Sequence, residues 1–289
     1  MAHSINTLDK IKNFFRGGPL LSILILFMLG CVAIFAEHLS MHSPEYGNPR
    51  ERLKPPVWME GGSAKFPLGT DTMGRCVLTR LVHGTRVSFV IAFAGVFFSA
   101  IAGTLIGIAS GYFGGWVDQL AMRVVDARLC IPTVMLGILM SLVLGPSVWN
   151  IVIIVALSYW TRYARVIRGE TLSIRTREFI RLARVAGAGN LRIMALHILP
   201  NIMNSVITIA SLQIGVVIVV EASLTFLGVG VPPPKPAWGL MLSEGRGGLF
   251  TGYWWLIVFP GVAIAMLVMS FNLIGDWLRL KLDPHYKNL

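Results

Sequence analysis

"REFIRLARVAGAGNLRIMALHILPN", residues 177–201, puts four arginines, a glutamate, a histidine and two glycines into one short run of an otherwise apolar chain. Phe179, Leu182, Ala183 and Ala186 recur at helical spacing while Arg177, Arg181 and Arg184 fall on other faces, so the run opens as a short amphipathic helix. Gly187 and Gly189 then break it, because glycine tolerates the backbone angles of a sharp turn. Asn190 can cap a second helix, and Pro200 sits near the start of the next apolar run, where a missing N–H costs least. The expectation is a helix, a turn and a helix lying outside the bilayer. Two uses fit that shape: a solvated or headgroup-bound basic loop, or a rigid knob that docks in a partner's groove.

The surroundings decide what kind of chain carries this run. Hydrophobic residues make up 55% of the 289 positions and charged residues only 13%, against about a quarter charged in soluble domains. That composition belongs to an integral membrane protein. The net charge of +11 has no soluble basic domain to reside in, so nucleic acid is not an expected partner, and a basic cytoplasmic bias accounts for it. A bilayer core about 30 Å thick needs about 20 apolar residues per helix, and six runs qualify, at roughly 19–36, 86–110, 119–144, 148–167, 203–229 and 253–277. The fold class read from this is an all-α membrane protein with six transmembrane helices. Gly103, Gly107 and Gly111 recur every fourth residue, either as a stripe that lets helices approach closely or as the glycine enrichment common in membrane helices.

The first run follows Lys10, Lys12 and Arg16 and contains "MLGC", which ends at Cys31, a faint likeness to a lipoprotein cleavage site. It is long for a signal peptide's core and membranous sequence follows, so an uncleaved first helix is expected. Three cysteines make no disulfide framework; Cys31 and Cys130 sit in apolar runs, and only Cys76 lies in polar sequence. Six spans put both termini on one side. If that side is the cytoplasm, it collects Lys10, Lys12, Arg16, Arg279, Lys281, Lys287 and the eight arginines between positions 162 and 192. The segment from about 37 to 85 is then extracytoplasmic, its basic residues offset by Glu37, Glu45, Glu51, Glu60 and Asp71.

The run 177–201 resembles the cytoplasmic coupling motif of ABC importer permeases, commonly Glu-Ala-Ala, three residues, Gly, nine residues, then Ile-x-Leu-Pro. Ala183, Gly187, Leu199 and Pro200 match in that spacing. Arg181, Leu182 and His197 depart from it, standing at the glutamate, first alanine and isoleucine positions. "FPLGTDTMGRCVLTRLVHGTRVSF" (66–89), "GYFGGWVDQLAMRVVDARLCIP" (111–132), "SLTFLGVGVPPPKPAWGLMLSEGR" (223–246) and "FNLIGDWLRLKLDP" (271–284) resemble signatures of the second permease subunit of the dipeptide, oligopeptide and nickel transport group. Cys76, Trp277 and Leu280 differ from the usual pattern, which leaves the substrate open.

The resemblance implies a type I ABC importer transmembrane domain in the bacterial inner membrane, with both termini cytoplasmic. It implies a second homologous permease, two ATP-binding subunits, an extracytoplasmic solute-binding protein and a peptide substrate, with nickel or another small solute as the alternative. ATP and Mg would be bound by the partner ATPases, with no cofactor in this chain. Independently, no Gly-Lys pair occurs, so a phosphate-cradling loop is missing, and no His-Glu-x-x-His marks a membrane enzyme. An ion-coupled secondary transporter would show two repeats with buried ionisable pairs, and no such symmetry is visible. The implied division is residues 1–85, a five-helix domain over 86–277 with the coupling helix at about 178–190, and a tail over 278–289.

The implied coupling residues are Glu178, Phe179, Leu182, Ala183, Gly187, His197 and Pro200. Glu221 and Asp126 are the pathway candidates, because a charge at mid-membrane costs roughly 2.5–3.5 kcal/mol on insertion scales and faces protein or water. For Glu221 a hydrogen-bonding role between helices is the favoured reading over the pathway one; Asp126 is spaced to pair with Arg123, and with Arg128 and Pro132 beyond it this region also reads as a border of the pathway. His38 and His42 have helical spacing without a carboxylate or thiolate cluster, so no metal site is expected. "VPPPKP" (231–236) reads as a stiff connector or a brace for a docking surface.

Overall fold

In lipid a backbone must satisfy its own polar groups, so the apolar runs fold as helices. The computed structural model describes residues 18–282. Lys10, Lys12, Arg16 and the tail beyond Leu282, including Lys287, lie outside the described residues. Within them the order is α1 (Leu20–Ile34), α2 (Ala36–Leu39), α3 (Val77–Phe113), α4 (Gly115–Leu129), α5 (Thr133–Leu144), α6 (Val148–Ile174), α7 (Glu178–Val185), α8 (Asn190–Ile193), α9 (Leu199–Phe226), α10 (Trp238–Gly245) and α11 (Trp255–Leu282). One isolated antiparallel bridge joins Thr70 and Cys76.

Three helical stretches are long and apolar enough to cross a membrane individually: α3, Asn190–Phe226 and α11. α4 and α5 qualify as one span bent by 87°. The other two of the six runs expected to span fold as α1, an apolar helix of 15 residues, and α6, whose apolar first half leads into Arg162, Arg165 and Arg168; neither is long and apolar enough to count as a span by itself.

The break between α4 and α5 was not anticipated in the run 119–144. Pro132 cannot donate to a preceding carbonyl and keeps Ile131 out of the helical region. Arg128 compensates: Nε donates to the Leu157 carbonyl at 3.0 Å and Nη1 to the Ile131 carbonyl at 2.8 Å. α3 starts at Val77, nine positions before the apolar run was expected to open at 86, so the expected domain division at 85/86 falls inside it. Its first turn tolerates Arg80 because Nη1 reaches Asp71 at 2.5 Å and Glu244 at 2.6 Å. Arg75 joins the same cluster, through Nε to Asp71 at 2.7 Å and Nη2 to Glu244 at 2.8 Å. Both arginines are buried, and together they tie the segment before α3 to α10. Trp255 Nε1, donating to the Thr70 carbonyl at 3.2 Å, adds a second tie, to α11.

α3 and α6 form the most extensive helix pair. The glycine stripe explains it. A Cβ on Gly103 would meet the Trp160 carbonyl oxygen at 2.2 Å, and one on Gly107 would meet the Ala164 carbonyl at 2.8 Å. The stripe is therefore a contact surface between backbones rather than simple enrichment. One apolar core gathers Ile91, Val155, Val217, Trp238 and Leu267 from α3, α6, α9, α10 and α11. A second, smaller core gathers Ile108, Ile167, Ile174, Ile180, Ile193 and Ile202 where α3, α6 and α9 meet α7 and α8.

Candidate functional site

α7 carries apolar residues on two sides. Ile180 is completely buried in the smaller core, with Ala183 packed against it. Phe179, Leu182 and Val185 project the other way, 38%, 62% and 87% exposed. A helix of eight residues is marginal alone in water, so its position depends on the Ile180 anchor. Glu178 sits in the first turn, where a carboxylate suits the positive end of the helix dipole.

The turn after α7 closes in the Schellman pattern. The Ala188 N–H donates to the Ala183 carbonyl and the Gly187 N–H to the Arg184 carbonyl, both at 2.9 Å. Gly187 takes φ of +83°, and a Cβ there would meet nothing within 4 Å. What it satisfies is a backbone angle that β-branched residues avoid, not a shortage of space.

Beyond the turn the structure departs from the expected cap. Gly189 precedes α8, and the Asn190 side chain, instead of capping, accepts a hydrogen bond from Tyr112 Oη at 2.8 Å. The Tyr112 ring lies 5.3 Å from the Arg184 guanidinium, so the last turn of α3 holds both arms of the knob. Arg175 supports that end of α3 through Nη1, which donates to the Gly111 and Tyr112 carbonyls at 2.9 and 3.2 Å. α8 runs through a π turn, Met194–Ile198, into α9. Widening the helix there accommodates Pro200, which has no N–H to return. His197 lies in the π turn, where its carbonyl accepts from Asn201 Nδ2 at 2.7 Å.

The two pathway candidates lie apart. Asp126 is exposed and pairs with Arg165 of α6, not with Arg123, because the neighbouring helix brings the guanidinium closer. Asp118 is held similarly by Arg168 and Ser110 at the junction of α3, α4 and α6. Glu221 is buried between α9 and α3, accepting from Ser88 Oγ at 3.3 Å and Thr225 Oγ1 at 3.0 Å. These two bonds make it a polar joint between the two helices.

An open cavity of about 540 Å³ lies between the ends of α6, α9 and α11 nearest α7. Glu170, Arg177, Asn204 and Arg279 are among its lining residues. Among the described residues no group of three or more His, Cys, Asp or Glu could hold a metal ion. α2 ends at Leu39, so His38 and His42 do not share a helix face; His42 packs on the Phe66 ring at 5.0 Å.

Ile180 and Tyr112 are not marked by the sequence as site residues. Ile180 leaves only a trace, an isoleucine opposite the Phe179–Leu182 stripe, and Tyr112 acts through a partner 78 positions away. Arg128, which with Pro132 also reads as a border of the pathway beside Asp126, instead holds the α4–α5 bend, and Arg175, one of the basic run, braces the end of α3.

Residues 103–288 match the family model described as binding-protein-dependent transport system inner membrane component. The chain is 39% identical over 272 residues to the di/tripeptide transport system permease protein DppC of Pseudomonas aeruginosa, covering 94% of this chain and 88% of that protein. It is 36% identical over 280 residues to the nickel transport system permease protein NikC of Escherichia coli, covering 94% and 97%. In fold it is similar to a chain of the MetNI methionine ABC transporter in an inward-facing conformation, with a TM-score of 0.57 at 18% identity over 71% of this chain and 96% of that one.

Proposed function

The chain belongs to the family of binding-protein-dependent transport system inner membrane components, and from that premise we propose that it forms half of the membrane pathway for di- and oligopeptides. The peptide assignment draws on the di/tripeptide relative, the most similar by identity of those described. In this reading both termini and α7 are cytoplasmic, and the pathway is completed by a second homologous permease. Two ATP-binding subunits bind ATP and Mg and hydrolyse the nucleotide, while an extracytoplasmic solute-binding protein delivers the peptide.

The observation that carries the coupling part is the two-sided α7. A lever must be fixed to the body it moves and also present a surface to what drives it. Ile180 and the Tyr112 contacts supply the first, and Phe179, Leu182 and Val185 the second. When nucleotide binding draws the ATPase subunits together, α7 moves with them and the helices open outward; hydrolysis reverses the motion. Ala183 and Gly187 hold the knob's shape, with His197 and Pro200 in the segment that joins it to α9.

Affinity purification of the tagged chain from cells expressing its partners tests this directly. Recovery of a second permease and P-loop ATPases, lost with Leu182→Asp, is the expected result; recovery of this chain alone would return 177–201 to an ordinary basic loop. A second reading, nickel or another small solute, rests on the nickel transport relative. Competition of labelled dipeptide uptake by unlabelled Ala-Ala, but not by Ni²⁺, separates the two.

A further inference from the structure

We propose that the open cavity beside α7 is a receiving site for a small zwitterion, a short peptide whose ammonium meets Glu170 and whose carboxylate meets Arg177 and Arg279. This deepens the transport reading above and rests on it.

The cavity's charges are unusual in being left apart. Glu170, on α6, is positioned by Ser205 of α9, whose hydroxyl donates to its Oε1. Arg177 precedes α7 and Arg279 lies in the last turn of α11, and neither makes an ion pair among the described residues. A carboxylate and two guanidinium groups thus line one space with no ion pair between them. The opening is therefore anionic at one wall and cationic at others. Asn201 and Asn204, also lining it, offer amides suited to a peptide group. A volume of about 540 Å³ falls in the range of small-molecule sites, roughly 300–1,000 Å³.

Chemistry narrows the occupant. A simple cation has two arginines against it, and a simple anion has Glu170. A molecule with an ammonium at one end and a carboxylate at the other satisfies both. A phosphatidylethanolamine headgroup shares the paired charges, so lipid is the competitor to be separated. Because Arg177 is the residue immediately before α7, a peptide held here touches the segment that bears the docking helix.

The test uses the whole transporter in nanodiscs, without solute-binding protein or nucleotide, and isotope-labelled Ala-Ala as probe. N-acetyl-Ala-Ala removes the ammonium, and Ala-Ala-amide removes the carboxylate. Each is expected to bind about tenfold more weakly than Ala-Ala, the effect of losing one charge-assisted contact. Glu170→Gln, which can still accept from Ser205, should abolish discrimination against the acetylated peptide and keep that against the amide. Arg279→Gln should do the reverse. A structural role for either residue would weaken all three peptides equally.

Equal binding of the three peptides to the unaltered transporter overturns the proposal. So does Ala-Ala binding that appears in phosphatidylglycerol discs and vanishes in discs containing phosphatidylethanolamine, which assigns the cavity to lipid. Energised uptake of Ala-Ala is measured beside it. Uptake without charge discrimination at the cavity rejects this site alone, whereas absence of both rejects the peptide-transport reading too.

Discussion

Tyr112 and Asn190 stand 78 positions apart in sequence and are joined by a hydrogen bond of 2.8 Å. That contact fastens the end of α3 to the first residue after the glycine turn, so the knob is seated on the longest helix of the bundle. Tyr112→Phe keeps the ring under Arg184 and removes only the hydroxyl. The expected loss is about 0.5–1.5 kcal/mol, with transport per ATP hydrolysed reduced and membrane insertion unchanged. Double substitution with Asn190→Ala should cost little beyond either change alone, because both remove the same bond.

Gly187 tests the turn. A residue held in the left-handed region without being glycine costs roughly 1–3 kcal/mol, and valine is among the worst choices. Gly187→Val is expected to leave ATPase activity running while uptake falls, with Gly187→Asn intermediate, since asparagine tolerates that region. Parallel measurement of phosphate release and dipeptide uptake in proteoliposomes checks this. Normal coupled uptake in the valine variant would remove the coupling assignment.

The two faces of α7 should separate by phenotype. Ile180→Ala empties a fully buried position and is expected to cost about 2–5 kcal/mol, lowering the thermal unfolding temperature of the permease in detergent. Leu182→Ala, on the exposed face, should leave that temperature unchanged and weaken co-purification of the ATPase subunits. Equal destabilisation by both would show that α7 has one packed face rather than two.

Gly103→Leu addresses the bundle itself. The added side chain would run into the Trp160 carbonyl, which sits 2.2 Å from where its Cβ must lie. The cost is expected at or above the ~1–3 kcal/mol typical of overpacking. Ala at a glycine with open surroundings, such as Gly169, is the matched control. Thermal unfolding of the two variants side by side decides it.

The buried cluster Asp71, Arg75, Arg80 and Glu244 predicts a further asymmetry. Glu244→Ala removes a carboxylate that both arginines use, leaving buried positive charge under-compensated, and is expected to cost about 3–5 kcal/mol. Limited proteolysis is then expected to cut between positions 40 and 76 faster than in the unaltered chain. Unaltered protection would mean that the Trp255 contact to Thr70 suffices to hold this segment.

Much of this architecture could be read from the residue string. Hydropathy locates membrane helices because a lipid-embedded backbone has no alternative to internal hydrogen bonds. The knob was legible for the opposite reason: arginines are costly in lipid, so the sequence itself places 177–201 outside it. Its turn was legible at Gly187, where local backbone angle alone sets the residue.

Other features depended on partners distant along the chain. The string offers Arg123 to Asp126, yet the folded bundle brings Arg165 closer. It shows Pro132 inside an apolar run, but the 87° bend is held by Arg128 reaching the Leu157 carbonyl of α6. It marks an apolar stripe on α7 without telling that Ile180 is the anchored side. Composition and local backbone preference act between near neighbours and are written in order along the chain. Burial, ion pairing and the separation of Glu170 from Arg279 arise only when helices pack, because each depends on which surfaces meet.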